Sequence, residues 1–182
     1  NNTIAFQGIP GAYSELACLS NFENMETLSC PSFEDMISSV QENKAKLAMV
    51  PVENSTAGRV ADIHHLLPES GLYIIGETYF RVNHMLLGVK GAKLNDLQEV
   101  KSHAQGLAQC RENINKLNLL PIIHPDTAGA AQEVSKLKDK TVAAIASKLA
   151  AQKYDLQIQS PLHIHHQKFS QCMLIPLVDP LR

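Results

Sequence analysis

The stretch Leu47-Ala48-Met49-Val50-Pro51-Val52-Glu53-Asn54-Ser55 decides how the chain is interpreted. Its first four residues are an apolar run, which predicts a buried strand. Pro51 has no backbone N–H, so the strand is expected to end there. The polar residues Glu53-Asn54-Ser55 follow, and Gly58 lets the backbone turn before the amphipathic segment 60–67. Because ligands of open α/β sheets bind where strands end and helices begin, this stretch predicts a site.

Length and composition describe an ordinary globular protein. The chain has 182 residues, enough to bury a core in one domain or in two small lobes. Its formal net charge is −2 and its basic residues are scattered, which argues against a nucleic-acid partner. The N-terminal residues lack the basic and apolar regions of a signal peptide, and no apolar run reaches membrane-spanning length. A cytoplasmic protein with no membrane partner is expected.

The cysteines and histidines predict no metal site. Cys18, Cys30, Cys110 and Cys172 are far apart and form no C-x-x-C pair, so reduced thiols are expected. The densest group of histidines is His163-Ile164-His165-His166, but no carboxylate or thiolate lies beside it at ligand spacing. The sequence also has no Walker loop and no G-x-G-x-x-G after a strand, so no nucleotide cofactor is expected.

Strands and helices alternate in the first third of the chain. The first predicted strand is followed by the tight loop Gly8-Ile9-Pro10-Gly11, after which Ser14 is expected to cap a short helix. Ser32 and Asp35 resemble a capping box at the start of a second helix, which leads back to the strand before Glu53. This order predicts a β/α arrangement.

A second set of β/α units begins at about residue 78. It includes a helix predicted from Ala104 through Leu117, a helix at residues 127–137 and a strand at residues 142–146. The final apolar run, residues 173–178, follows a polar crossing and is expected to rejoin the first sheet. The predicted lobes are therefore residues 1–77 with 166–182, and residues 78–165.

Small polar side chains recur where predicted strands give way to helices. They are Ser14, Asn54 with Ser55, Ser102, Thr127 and Ser147. Helix capping alone would explain Ser102 and Thr127. If the helix N-termini converge, however, their free N–H groups and positive dipole ends would bind a small carboxylate. Gln105 and Gln109 lie one turn apart after Ser102, and solvated glutamines are the simpler interpretation there.

Together these motifs resemble, in the same order, those of the prephenate dehydratase family. The resemblance spans nearly the whole chain, and the Glu-Asn-Ser and Ser-His…Gln-Cys motifs are specific in combination. The matching motifs are Gly8-x-Pro10-Gly11-x-Tyr13-Ser14-Glu15, Val50-Pro51-Val52-Glu53-Asn54-Ser55-x-x-Gly58-x-Val60, Ser102-His103-x-Gln105-x-x-x-Gln109-Cys110, Thr127-Ala128 and Ala143-Ala144-Ile145-Ala146-Ser147.

The resemblance implies a fold and a reaction. The fold is α/β and two-lobed, of the periplasmic-binding-protein-like type II class, with the active cleft between the lobes. The reaction removes carboxylate and hydroxyl from prephenate to give phenylpyruvate, carbon dioxide and water, on the way to phenylalanine. Because aromatisation drives the elimination, a positioned substrate, a proton donor and a desolvating cleft suffice. No cofactor is expected; the expected partner is the small-molecule substrate, and a homodimer is left open.

The resemblance also implies the site residues. Ser170, Glu53 and Asn54 are expected to be catalytic, with Ser170 as proton donor to the leaving hydroxyl. The residues expected to bind substrate are Ser14, Ser55, Ser102, Gln109, Thr127, Gln171 and Arg59.

The chain departs from the family at a Thr-Arg-Phe motif near the last strand. In the preferred register this motif reads Ser170-Gln171-Cys172, which keeps a hydroxyl but loses the charge and planar fork of arginine. A shifted register, Gln167-Lys168-Phe169, would keep charge and ring but lose the hydroxyl. Arg59 or Lys168 is expected to supply the missing charge, unless that charge is dispensable.

Three alternatives stay open at this point. The substrate could be arogenate, whose amino group replaces the keto group of prephenate. The chain could also be a degenerate family member that binds a small carboxylate without turnover. Finally, the family usually carries a C-terminal regulatory domain of the ACT type, which is not expected in a sequence that ends at Arg182. A short natural form and a piece of a longer protein are both compatible with that end.

Overall fold

The computed structural model describes residues 2–55, 58–162 and 171–180, with residues 171–176 as backbone. The chain divides into two compact units. Unit 1 comprises Asn1–Ile9, Tyr13–Val82 and Phe169–Arg182, and unit 2 comprises Pro10–Ala12 and Asn83–Lys168.

Twelve strands and seven helices lie in the described residues, with one 3-10 turn at Leu94–Asp96. In chain order they are β1 (Thr3–Gln7), α1 (Tyr13–Asn21), β2 (Glu26–Cys30), α2 (Phe33–Gln41), β3 (Leu47–Asn54), β4 (Gly58–Arg59), α3 (Ala61–Glu69), β5 (Tyr73–Ile74), β6 (Thr78–Arg81), β7 (Met85–Gly88), β8 (Glu99–Ser102), α4 (Ala104–Gln109), α5 (Arg111–Lys116), β9 (Leu120–Ile123), α6 (Thr127–Leu137), β10 (Val142–Ala146), α7 (Lys148–Lys153), β11 (Gln157–Pro161) and β12 (Gln171–Val178).

Unit 1 is built on a sheet with the strand order β2-β1-β3-β12-β5, to which β4 adds beside β3 and β6 beside β12. The pairs of β1 with β2 and with β3 are parallel, whereas β12 is antiparallel to β3. Helices α1 and α2 connect the parallel strands, because parallel strands need a crossover connection. Ser32 caps α2 by accepting from Asp35 N at 3.0 Å, and its hydroxyl donates to Asp35 Oδ2 at 2.8 Å. The predicted cap of α2 at Ser32 is confirmed.

Strand β3 does not end at Pro51, and that prediction was wrong. The pairing of β3 with β1 covers only Leu47 to Met49, so no β1 ladder bond is lost at the proline. On the other edge, the register with β12 shifts between Pro51 and Glu53, which leaves Val52 as the extra residue of a bulge. A proline is tolerated in a strand at such a bulge. The strand therefore carries Glu53 and Asn54 within it.

Unit 2 is built on a five-stranded sheet with the order β11-β7-β10-β8-β9. Its central strand β10 is buried at every position, pairs parallel with β8, and is antiparallel to β7. The predicted bounds of β10 and α6 agree with the structure. The single helix predicted from Ala104 is instead two helices, because α4 ends at Gln109 and α5 starts at Arg111, with Cys110 between them.

The boundary between the units lies after Val82, whereas the sequence placed it at residue 78. The reason is strand β6, which pairs with β12 in the first sheet. Strand β12 also pairs with β3 and β5, so the end of the described chain lies in the sheet of unit 1. Each unit has its own sheet and its own buried apolar cluster. The predicted two-lobed α/β fold is confirmed at this level.

Candidate active site

In unit 1, the end of β3 forms a hairpin with β4 that carries four of the predicted site residues. Glu53 lies opposite Arg59, and Asn54 lies opposite Gly58. Residues directly opposite in an antiparallel pair have Cβ atoms about 5 Å apart, so the Cβ atoms of Glu53 and Arg59 are neighbours. Both side chains are exposed. Gly58 has a φ of +83°, which explains the glycine at this turn.

Asn54 and Ser55 lie in this hairpin and not at a helix N-terminus. Asn54 is the last residue of β3 and Ser55 lies in the turn that follows. Helix α3 starts later, at Ala61, with Val60 at its N-cap position and no side-chain cap bond. The idea that these two residues prepare a helix N-terminus for a carboxylate is therefore wrong.

Ser14 does not cap helix α1 as predicted. The helix begins at Tyr13, so Ser14 lies inside its first turn, where it is half-buried. The adjacent Glu15 is buried and accepts a hydrogen bond from Thr27 Oγ1 at 2.8 Å. The first turn of α1 therefore anchors the helix to β2 through Glu15.

In unit 2, Ser102 is fully buried at the end of β8. Its hydroxyl donates to the Ile145 carbonyl at 2.7 Å, which ties β8 to β10. The N-cap of α4 is the next residue, His103, whose Nδ1 accepts from Gln105 N at 3.3 Å. The prediction that Ser102 caps this helix was wrong, and the structure places its hydroxyl inside the sheet.

Gln109, the last residue of α4, contacts a histidine that the sequence analysis missed. His84 Nε2 lies 2.8 Å from Gln109 Oε1. His84 is only 3% exposed, and burial lowers the pKa of its imidazole, while the bond to Gln109 acts in the opposite direction. The signal for His84 that the sequence offered was a polar residue directly before the apolar run of β7. Gln105, by contrast, is exposed, as expected for a solvated glutamine.

Thr127 begins α6, and the helix is capped by the residue before it. Asp126 Oδ1 accepts from Gly129 N at 2.6 Å. The predicted helix start is confirmed, and Thr127 itself is half-buried. A Cβ at Gly129 would lie 2.6 Å from His124 Cε1, so the helix needs glycine there.

A charged cluster beside this helix start was also missed. Lys101 Nζ lies 2.8 Å from Glu133 Oε1, and His124 Nε2 lies 3.4 Å from Glu133 Oε2. The hydrogen bond from Lys101, with smaller contributions from the Lys101 and His124 charges, lowers the pKa of Glu133. Lys101 lies in β8, His124 follows β9 and Glu133 lies on α6, so only the fold brings them together.

Ser147 caps α7, as its position after β10 suggested. Its Oγ accepts from Ala150 N at 3.0 Å and donates to the Gly11 carbonyl at 2.6 Å. Gly11 has a φ of +94°, and a Cβ there would lie 3.0 Å from Ala150 Cα. The Pro10-Gly11 segment, which belongs to unit 2, thus packs closely on α7. Ser147 is fully buried.

The predicted proton donor, Ser170, lies outside the described residues, as do Lys168 and the His163–His166 group. Gln171 is the first residue of β12, and its backbone position lies directly opposite Arg81 of β6. Arg81 is exposed. The sequence analysis considered only Arg59 and Lys168 as replacement cations, and the strand register adds Arg81.

Within residues 2–55, 58–162 and 171–180, no group of three His, Cys, Asp or Glu side chains is arranged to hold a metal ion. Cys18, Cys30 and Cys110 are free and buried. Burial raises the pKa of both Cys18 and Cys110 to about 12, so neither is a ready nucleophile. Among the helices of the described residues, none is both long and apolar enough to cross a membrane.

Comparisons with known proteins agree with the motifs. A family model described as prephenate dehydratase matches residues 4–173. A protein of Komagataeibacter europaeus, named bifunctional N-acyl-homoserine lactone acylase/prephenate dehydratase, is 48% identical over 155 residues, which are 85% of this chain and 55% of that protein. Arogenate dehydratase/prephenate dehydratase 1 of Arabidopsis thaliana is 45% identical, over 85% of this chain and 40% of its own length. The chain thus spans about half the length of these relatives.

Solved structures show the same fold. A structure titled GqqA, a novel type of quorum quenching acylases, superposes with a TM-score of 0.91 at 43% identity, over 97% of this chain and 63% of that one. Prephenate dehydratase from Arthrobacter aurescens in complex with L-Phe superposes with a TM-score of 0.86 at 25% identity, over 98% of this chain and 60% of that one.

Proposed function

Because the chain belongs to the prephenate dehydratase family, we propose that it converts prephenate to phenylpyruvate, carbon dioxide and water. The observation that carries the proposal is the family match over residues 4–173, which includes the Glu53-Asn54 strand end and Gln109. The 48% identical relative has prephenate dehydratase in its name. Since that relative is longer, the activity is proposed here for the segment they share.

The reaction requires little covalent participation from the protein. The electrons of the ring-to-carboxylate bond move into the ring as carbon dioxide leaves, and the ring carbon–oxygen bond breaks at the opposite position. The departing hydroxide takes one proton and leaves as water, so the prephenate dianion and one proton give the phenylpyruvate monoanion. A positioned proton donor speeds such a step by about a hundredfold to ten-thousandfold.

The proposed roles follow the chemistry of each side chain. Ser170 is the proton donor. Glu53 and Asn54 lie at the end of β3, where the β3–β4 hairpin holds their backbone in place. An arginine supplies the positive charge for a carboxylate, because its planar fork binds carboxylates in pairs of hydrogen bonds. Gln109 and Thr127 are the proposed substrate-binding residues of unit 2. Neither a metal nor a cofactor has a role in the proposal.

Arogenate is the second candidate substrate. Several relatives of this chain are named arogenate dehydratases, including one of Petunia hybrida that is 38% identical over 85% of this chain. Arogenate differs from prephenate by a protonated amino group in place of the keto oxygen. The exposed carboxylate of Glu53 is a suitable partner for such a group.

Purified protein incubated with each substrate tests the proposal. With prephenate, the absorbance of phenylpyruvate should rise with saturable kinetics, and a mock purification from the same host should show none. Turnover of arogenate alone, seen as phenylalanine by chromatography, would favour the second candidate. Binding of prephenate without turnover of either substrate would indicate a family member that only binds. An acyl-homoserine lactone is tested as a third substrate, because one relative is also named an acylase.

A further inference from the structure

The strongest unassigned feature is the contact between buried His84 and Gln109 in unit 2. His84 directly precedes β7, and its backbone carbonyl accepts from Leu162 N at 2.9 Å. Its ring is 3% exposed and lies with Nε2 2.8 Å from Gln109 Oε1. Gln109 is half-buried at the end of α4, so part of this residue is exposed to solvent.

We propose that His84 is a positioning residue, which donates from Nε2–H to Gln109 Oε1 and so directs the amide NH₂ of Gln109 toward a substrate carboxylate. The inference rests on the proposed function, because it takes Gln109 as a substrate-binding residue. The side-chain amide of Gln109 can face His84 with either its oxygen or its nitrogen. If the nitrogen faced His84, the N–H donors would be turned toward the imidazole and not toward the substrate. His84 selects the orientation that leaves both N–H groups of Gln109 directed away from the imidazole.

The charge state of His84 fits this role. A neutral imidazole has one N–H, and the amide oxygen of Gln109 can only accept, so that N–H must lie on Nε2. Burial lowers the pKa of His84 and keeps the imidazole neutral near pH 7. The contact between Nε2 and Oε1 therefore requires the Nε2–H tautomer of His84.

The surroundings of His84 hold the ring in place. A Cβ at Gly106, one turn before Gln109, would lie 3.0 Å from Ser102 Oγ and 3.8 Å from His84 Cε1. Ser102 is itself fixed by its bond to the Ile145 carbonyl. Helix α4 thus comes close to Ser102 and His84 at a glycine, and the burial of His84 limits the movement of its ring.

A double-mutant cycle with prephenate tests the inference. His84→Leu should raise KM about threefold to tenfold, the effect of one lost amide hydrogen bond, with kcat little changed. His84→Gln, which keeps a donor at a similar distance, should recover most of the loss. Because His84 acts through Gln109, the double variant His84→Leu/Gln109→Ala should be no worse than Gln109→Ala alone. Gln105→Ala, an exposed glutamine of the same helix, is the matched control.

Histidine ¹⁵N NMR gives a second readout that needs no turnover. The Nε2–H tautomer is expected near pH 7 in the parent, and the Nδ1–H tautomer would overturn the inference. Additive effects of His84→Leu and Gln109→Ala would also overturn it, because they would show that His84 only packs. If prephenate is turned over but Gln109→Ala leaves KM unchanged, the inference fails while the proposed function stands. If the parent has no turnover, the proposed function fails, and with it the substrate contact of Gln109.

Discussion

The two units present their predicted site residues in opposite ways. In unit 1, Glu53 and Arg59 are exposed on a hairpin and face each other across two strands. In unit 2, Ser102 and Ser147 are fully buried, and their hydroxyls donate to backbone carbonyls. These polar residues are therefore exposed in one unit and bonded within the fold in the other.

This difference separates residues that are expected to contact a ligand from residues that support the fold. A buried hydroxyl that already satisfies a carbonyl stabilises the sheet, whereas an exposed polar side chain costs the fold little to keep for a ligand. We therefore expect substitutions at the unit 1 strand end and before β12 to change kinetics. Substitutions at the buried serines of unit 2 should first change stability.

The largest effect is expected at Ser170, which directly precedes β12. Ser170→Ala should lower kcat by about a hundredfold to ten-thousandfold with little change in KM, because a proton donor acts only in the transition state. Ser170→Thr keeps the hydroxyl and should be tolerated. Ser20→Ala, an exposed serine of α1, is the control and should behave as the parent. A Ser170→Ala variant with full kcat would remove Ser170 from the mechanism.

The next largest effect is the difference in unfolding free energy between substitutions at a buried and at an exposed serine. Ser102→Ala leaves the Ile145 carbonyl without its donor, so the free energy of unfolding should fall by about 1–3 kcal/mol. Ser55→Ala, at an exposed turn, should change it by less than about 0.5 kcal/mol. Urea denaturation of both variants measures the difference. A raised KM in Ser102→Ala at unchanged stability would instead make Ser102 a substrate contact.

The cation that replaces the family's arginine gives a third, smaller effect. Because Arg81 lies opposite Gln171, Arg81→Ala should raise KM for prephenate roughly tenfold, as expected for the loss of a charge-assisted bond. Arg59→Ala should have less effect, since Arg59 faces Glu53. Adding Gln171→Arg to Arg81→Ala should restore part of the loss.

Lys168→Ala completes this series, because the sequence made Lys168 a candidate as well. Steady-state kinetics of the three alanine variants assign the charge to one residue. If all three bind prephenate as the parent does, no cation compensates and the family's arginine is dispensable in this chain.

The sequence correctly predicted those features of the fold that depend on residues close together along the chain. The helix cap at Ser32, the start of α6 at Thr127 and the strand β10 all follow from local spacing, and all are confirmed. The wrong predictions depend on partners far along the chain. Pro51 stays within β3 because the pairing with β12 bulges there, more than a hundred residues away in sequence.

The candidate site shows the same limit. The motifs identified Gln109 and Ser102, but not that one meets His84 and that the other bonds to Ile145. Arg81 could not be found from the Gln171 departure, because only the register of β6 with β12 brings the two positions together. Local patterns therefore name the polar residues, and the long-range pairing decides which of them are exposed.

The smallest expected effect concerns the pH dependence of stability at His84. Its pKa in the folded protein lies below the ordinary value of 6.5, chiefly because it is buried. As the pH falls below about 6.5, the unfolded chain therefore binds a proton that the folded chain does not, and the fold loses stability until the folded pKa is passed. Above that range the contribution of His84 is constant. The buried imidazole should thus make unit 2 less stable at pH 5.5 than at pH 7.5.

Chemical denaturation at these two pH values measures the effect in the parent and in two variants. His84→Gln removes the titrating group while keeping a donor for Gln109, so the decline in unfolding free energy between pH 7.5 and 5.5 should become smaller. His64→Gln removes an exposed histidine of α3 and should leave the decline as in the parent. Equal declines in the parent and in His84→Gln would mean that the imidazole becomes protonated inside the fold. A charged His84 would still donate to Gln109, but its tautomer would no longer be what fixes the amide.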